Sequence, residues 1–312
     1  MHRILFLLLA GGAVVLLALL PLDRAGGEGA WRVIDMHLHA LPTGIFPEEW
    51  DEWTGHRRPS SDGALLGETV GALEAYNVVR AVTSGVPELV AAHHEAAPHR
   101  IIPSLMIPSS MTRDELRALA DSLPSWYEQG RFRVIGEVAT QYAGISPADP
   151  AMEPIFTFAE QAGVPVGIHM GVGPPGVAYG FAPRYRVRYG DPLELEEVLL
   201  RHPDLKVYVM HAGYPLLDSM LALMHMHPQV YAELSKINWA YPREDFHHYL
   251  RRLVEAGFGD RLLFGSDQMV WPGSYGEAVE GITSADFLSD EEKDMILYRN
   301  AARFLGLDEE DR

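Results

Sequence analysis

The chain contains no cysteine among its 312 residues. Disulfides, thiolate metal ligands, a cysteine nucleophile and lipid attachment on cysteine are therefore excluded. The absence leaves the compartment open, because a cysteine-free chain folds in either redox setting. Basic residues are also in short supply. Lys and Arg number 25 against 43 Asp and Glu, a formal charge of −18. Binding phosphates takes a clustered basic face, so the balance argues against a nucleic-acid partner. It equally disfavours attraction to anionic lipid headgroups. There is no internal repeat and no low-complexity run.

One long apolar run is present, at the N-terminus. "MHR" precedes "ILFLLLAGGAVVLLALL", residues 4–20, which carries no charge. A cleaved secretory signal has a basic start and an apolar stretch of roughly 7–15 residues, whereas a spanning helix needs roughly 17–25. The run sits at the border between the two, and "PLDRAGGEGAW" offers no clean A-x-A cleavage site. Residues 1–24 are read as an export signal or an uncleaved membrane anchor, and residues 25–31 as a linker. The protein is expected on the periplasmic or extracellular side, soluble or tethered. Roughly 280 residues remain, which suits one large domain, 32–308, better than two.

From Arg32 onward a short apolar run, a turn and an amphipathic stretch alternate. The runs are "RVIDMH", "VVRAVTSG", "RIIPSLMIP", "RVIGEVA", "PVGIHMG", "KVYVMHAG", "VYAELS" and "RLLFGSD". Segments this rich in Val, Ile and Leu read as strands buried on both faces. The stretches between them carry helix signals. Thr112 followed by Glu115 is a capping box, and "DPAMEPIFTFAEQAG" has Asp149 and Pro150 at its start and Gly163 at its stop. Eight strands alternating with helices predict a parallel sheet closed into a (β/α)8 TIM barrel. The last stretch, "SDEEKDMILYRNAARFLGL", reads as an added amphipathic helix whose Leu297, Phe304 and Leu305 pack on the barrel wall. Two links are long, residues 41–63 and 172–190. Both follow strands, on the face where barrel active sites are built, and links of this length often act as lids.

The polar residues fall at strand ends. In "VIDMHLHA", His37 and His39 stand two positions apart, and in extended chain such side chains share a face. Glu137 follows strand 4, His169 strand 5, His211 strand 6 and Asp267 strand 8. A polar group at the end of an apolar strand is costly unless paired or metal-bound. Six at one barrel mouth predict a shared metal site made of nitrogen and oxygen donors. Such donors suit Zn²⁺, one ion or two, and also accept Mn²⁺, Fe²⁺ or Co²⁺. His93, His94, His99, His202, His225, His227, His247 and His248 fall on helices or their ends, and are expected to be solvated.

The pieces "DMHLH", "VIGE", "GIHMG", "MHAGYP", "LLFGSD" and "YRNAARFLGL" resemble the amidohydrolase superfamily. Within it they resemble the amidohydrolase-related branch that includes aminocarboxymuconate-semialdehyde decarboxylase-like enzymes. They span essentially all the chain after the leader and are specific for the superfamily, though not for a reaction. The resemblance implies that His37, His39, His169 and Asp267 are metal ligands. It implies that His211 binds a second metal or polarises the substrate. Glu137 stands where many relatives carry a carboxylated lysine or a bridging glutamate. Decarboxylase-like members largely lack a ligand there, so Glu137 departs from a one-metal pattern.

A metal held by imidazoles and a carboxylate is a Lewis acid that supplies hydroxide near neutral pH. Asp267 would take the proton of the attacking water and return it to the leaving group, and His211 would hydrogen-bond the developing oxyanion. Hydrolysis of an amide, lactone or ester of a small molecule is the favoured expectation. A metal-dependent decarboxylase or hydratase is the alternative, since the same ligands serve it. A non-catalytic metal-binding barrel is the third reading. Arg184, Arg186 and Arg188 are candidates for gripping a substrate carboxylate. Tyr142, Tyr179, Tyr185, Tyr214 and Trp271 are expected around the mouth, with Trp50 and Trp53 closing over it. Homo-oligomerisation is left open.

Overall fold

A computed structural model describes residues 31–307; the apolar leader and most of the linker lie outside the described residues. Among the described residues, no helix is long and apolar enough to cross a membrane.

The alternation becomes eight parallel strands in a nearly closed barrel with helices between them, a TIM barrel. The strands are β1 (Val33–Ala40), β2 (Val78–Gly85), β3 (Ile101–Ile107) and β4 (Val134–Val138). They continue as β5 (Val166–His169), β6 (Val207–Met210), β7 (Val230–Glu233) and β8 (Leu262–Leu263). Each pairs with its neighbour in chain order. Every residue of β4 and of β6 is buried, as strands covered on both faces require; Glu137 is the one charged residue among them. The predicted capping box is present: Glu115 N–H donates to Thr112 Oγ1 at 3.3 Å, and Thr112 N–H donates to Glu115 Oε2 at 2.7 Å. One boundary differs. The Asp149 carboxylate accepts from Ala151 N–H in a turn, and the helix starts later, at Glu153, ending on Gly163 with φ +65°.

The last strand is the shortest, and the seam is made beyond it. Met36 N–H donates to Phe264 O, Asp267 N–H to His37 O and His39 N–H to Gln268 O. Asp35 pins the same seam. Its buried carboxylate accepts from His37 N–H, Ser266 N–H, Ser266 Oγ–H and the Tyr275 hydroxyl, at 2.6 to 2.9 Å. Burial pushes the Asp35 pKa up, against the pull of these donors. A Cβ at Gly265 would run into the Glu233 carboxylate and His37 Cβ, so only glycine lets the chain pass there.

A change of phase in β1 sets the site. Ile34 and Met36 belong to the barrel-interior cluster with Val134, Tyr208 and Met210, whereas Leu38 belongs to the outer core. Strict alternation would keep 34, 36 and 38 on one side. The pairing with β2 is irregular between Asp35 and Leu38, and this bulge turns His37 and His39 inward.

The C-terminal helical stretch corrects one expectation. Residues 290–305 do form helix, with a π-turn at Met295–Arg299. Phe304, however, packs against Tyr208 and Tyr231 and joins the interior cluster beside Ile34 and Leu263. It closes the bottom of the barrel rather than lying along the wall.

Candidate metal centre

The six strand-end residues converge. His37 Nε2 and His39 Nε2 are 3.0 Å apart, and Asp267 Oδ1 lies 3.2 Å from His39 Nε2 and 3.7 Å from His37 Nε2. Ligands roughly 2.0–2.1 Å from a tetrahedral ion stand about 3.3–3.4 Å from one another, and the three separations bracket that spacing. Asp267 Oδ1 is buried and has no hydrogen-bond donor, which a cation in this position would remedy. These residues fit a divalent metal.

A second trio faces the first. His211 Nε2 is 3.2 Å from His169 Nδ1, and His169 Nδ1 also hydrogen-bonds Glu137 Oε1. Glu137 spans both groups. Its Oε1 lies toward His169 and His211, while its Oε2 is 3.6 Å from His39 Nε2 and 3.9 Å from His37 Nε2. One carboxylate with an oxygen toward each trio has the disposition of a bridge.

The outer sides of the rings are fixed by partners of which the sequence singled out only Tyr142. His37 Nδ1 meets Ser235 Oγ at 2.9 Å and Glu233 Oε2 at 3.2 Å. His211 Nδ1 meets the Ser235 carbonyl at 3.2 Å, His39 Nδ1 meets Ser84 Oγ at 3.3 Å, and His169 Nε2 meets the Tyr142 hydroxyl at 3.4 Å. Glu233 is close enough to His37 and His211 to count as a donor itself. Its oxygens are already engaged by Ser235 N–H, Ser235 Oγ–H and His37, on the far side of the His37 ring. We therefore assign it to holding that ring, an arrangement that fixes tautomer and direction.

Neighbouring charges and burial compete over the state of these groups. Burial pushes the His37 pKa down, but Asp267, Glu233 and Glu137 outweigh it and raise it to about 10. Burial pushes Asp267 up, yet His37, with His39 and Lys236 beside it, brings it to about 2. Glu137 is likewise held well below its usual range, against its burial, chiefly by His169. In His169 desolvation wins, and its pKa falls. The metal-free site is thus an ion-pair network centred on a protonated His37, in the place a cation would take.

Above these candidate donors lies a cavity of about 100 Å³. His169, His211 and Asp267 form its floor, and Trp50, Trp53, Tyr142, Tyr214, Tyr241 and Lys236 are among its walls. The tryptophans come from the long link after β1. Arg58 staples that link by donating to Asp51, Thr43 O, Phe46 O and Pro47 O.

Tyr142 and Tyr214 thus reach the cavity, and Arg184 and Trp271 do not. Arg184 is exposed, as are Arg186 and Arg188, which turn to backbone carbonyls and to Tyr189 on their own loop. Their alternating spacing faces water. Trp271 is fully buried behind the cavity, its indole N–H donating to Asp51 and its ring stacked on Phe46, so it anchors the link. Tyr179 is 97% exposed, and Tyr185 is buried within its own loop, receiving Gly173 N–H. His93, His202 and His227 are buried, contrary to expectation. His202 is paired through both nitrogens with Glu153 and Glu160, and His93 with the Leu89 carbonyl. Glu233, Ser235 and Lys236 were missed, although "ELSK" ends strand 7 just as the other ligand motifs end theirs.

The amidohydrolase family model matches residues 34–307, and the chain belongs to that family. Solved structures of similar fold include an uncharacterised TIM-barrel protein from Bordetella bronchiseptica, at 20% identity and TM-score 0.65, covering 88% of this chain and 98% of that one. A probable 2-pyrone-4,6-dicarboxylic acid hydrolase from Acinetobacter baumannii, with citric acid bound, matches at 16% identity and TM-score 0.59, over 88% and 100%. The 5-carboxyvanillate decarboxylase of Novosphingobium aromaticivorans, complexed with manganese and a nitrobenzoic acid, matches at 14% and 0.61, over 91% and 98%. No curated protein matches the chain. Members of the superfamily are metal-dependent enzymes, both hydrolases and decarboxylases, and the donor clusters here support a divalent metal.

Proposed function

We propose that this protein is a metal-dependent hydrolase that opens an amide, lactone or ester bond of a small molecule. The observation that carries the reading is the convergence of His37, His39 and Asp267 at ligand spacing, with Glu137 reaching from them to His169 and His211, on the floor of a cavity. Zn²⁺ or Mn²⁺ would be held by these residues. When bound, such an ion lowers the pKa of a water it holds to about 7 and polarises a carbonyl.

The chain supplies the rest. Asp267 is both ligand and cavity-floor residue, so its carboxylate accepts a proton from the attacking water and returns it to the departing oxygen or nitrogen. His211 reaches the same floor, beside the oxygen on which charge develops. Tyr142, hydrogen-bonded to His169, places a hydroxyl beside it. Trp50 and Trp53 narrow the entrance and limit water at the reacting bond. The apolar leader supports placing this activity on the exported side.

The test is a screen of lactones, esters, amides and aromatic acids with metal-loaded protein, following acid release in one arm and CO₂ release in the other. Acid release that falls about 10²–10⁴-fold in Asp267→Asn at unchanged metal content supports hydrolysis with this residue as base. CO₂ release with no acid release replaces the reading with that of a lyase on the same ligands. A full panel without turnover, in protein carrying its metal, sinks both.

A further inference from the structure

Among the residues lining the cavity there is one ammonium group and no guanidinium: Lys236, three residues beyond Glu233 at the end of β7. Its backbone has φ +64°, a left-handed conformation that glycine adopts freely and a side chain bearing a Cβ resists. The chain nevertheless places a lysine there. Its Nζ lies 4.3 Å from the ring centre of Trp239, 5.4 Å from Trp53 and 5.9 Å from Trp271, an aromatic cage suited to a cation. Among the described residues no hydrogen bond or ion pair holds that ammonium.

The nearby negative charge belongs to Asp267 and Glu137, both in the metal cluster. With an ion held between them, that charge is shared with the metal, and Lys236 is left as a half-buried amine facing the cavity, its proton no longer supported by a free counter-charge. A buried charge without a counter-charge is costly. An anionic group on a ligand in the cavity would supply that counter-charge.

We propose that Lys236 is the specificity residue of this site, binding a carboxylate of the substrate other than the group presented to the metal ligands. The flat walls of Trp50, Trp53 and Tyr241 suit a planar molecule carrying that carboxylate. A carboxylate carries one negative charge, which the single ammonium of the lining matches. The inference rests on the proposed metal-dependent chemistry for the other end of the substrate.

The test uses the full chain loaded with Zn²⁺, with benzoate as probe and benzamide as its neutral counterpart. Binding is followed by calorimetry and by tryptophan fluorescence, since the cage reports directly. The wild type is expected to bind benzoate in preference to benzamide, more weakly as salt rises. Lys236→Gly and Lys236→Met are expected to keep their metal and to lose about tenfold or more in benzoate affinity, with benzamide unmoved. Lys236→Arg is expected to recover part of the loss. Glycine also relaxes the left-handed backbone, and its melting temperature reports that the fold is intact. Benzoate binding unchanged in both uncharged variants at full metal content overturns the proposal, because the carboxylate is then reading the metal. A wild type that ignores benzoate overturns it as well. Protein that takes up no metal, yet binds benzoate through Lys236, instead removes the catalytic reading and leaves this one standing.

Discussion

Glu233→Gln separates a residue that holds the proposed ligand His37 from one that merely fills space. Glu233 is fully buried, and its Oε2 receives Ser235 Oγ–H at 2.8 Å and pairs with His37 Nδ1 at 3.2 Å. Glutamine keeps the shape, removes the charge, and points an NH₂ at two groups that now need an acceptor. Losing such an outer partner typically weakens metal binding about 10–100-fold, or about 1.4–2.8 kcal/mol. A second effect opposes the first. Glu233 helps raise the His37 pKa to about 10, so without it the proton competes less well with the metal. The doubly charged ion gains more from the carboxylate than a proton does, so the net result is weaker binding. Proton competition fades as pH climbs toward 10, and the deficit should therefore widen with pH. Competition against a chelator at pH 7 and pH 9, with metal content read by elemental analysis, measures it. A variant with wild-type affinity at both pH values would refute the assignment of Glu233 as the group that holds His37.

Glu137→Gln should lower metal content and turnover together if one carboxylate bridges the two trios; unchanged metal content with only a lower melting temperature would deny the bridge. The metal-free protein should lose stability as pH rises. The raised His37 pKa contributes stability that is complete below 6.5 and disappears as pH passes about 10, whereas the depressed Asp267 contributes stability lost only as pH falls from 3.8 through about 2. Melting temperatures of metal-free protein from pH 6 to 10 should fall, and those of metal-loaded protein should fall less, because His37 is then without its proton. Phe304→Ala empties a buried ring from the bottom of the barrel and should cost roughly 3–5 kcal/mol in denaturant unfolding while leaving metal affinity alone.

The barrel and the convergence of the six strand-end residues are legible in the linear chain for a local reason. An apolar run buried on both faces announces a strand by itself, and parallel strands in chain order put every strand end at one mouth. Spacing of two positions also places His37 and His39 on one face of β1. It does not say which face. That depends on the bulge after Asp35, whose carboxylate captures groups more than two hundred positions away in sequence. The same limit hid Glu233 and Lys236: "VYAELSK" reads as one more buried strand and its turn, and only the barrel brings Glu233 behind His37 and Lys236 into the cavity. Trp271, Arg184 and the arginines near it became candidates by standing beyond strand ends, and position along the chain does not say what another segment lays over a side chain or whether it turns to water. His202 is buried because Glu153 and Glu160, on a neighbouring helix, supply partners for both ring nitrogens. Amphipathic pattern told that the C-terminal helix has an apolar face, and the open bottom of the barrel, a feature of the closed sheet alone, decided where that face went.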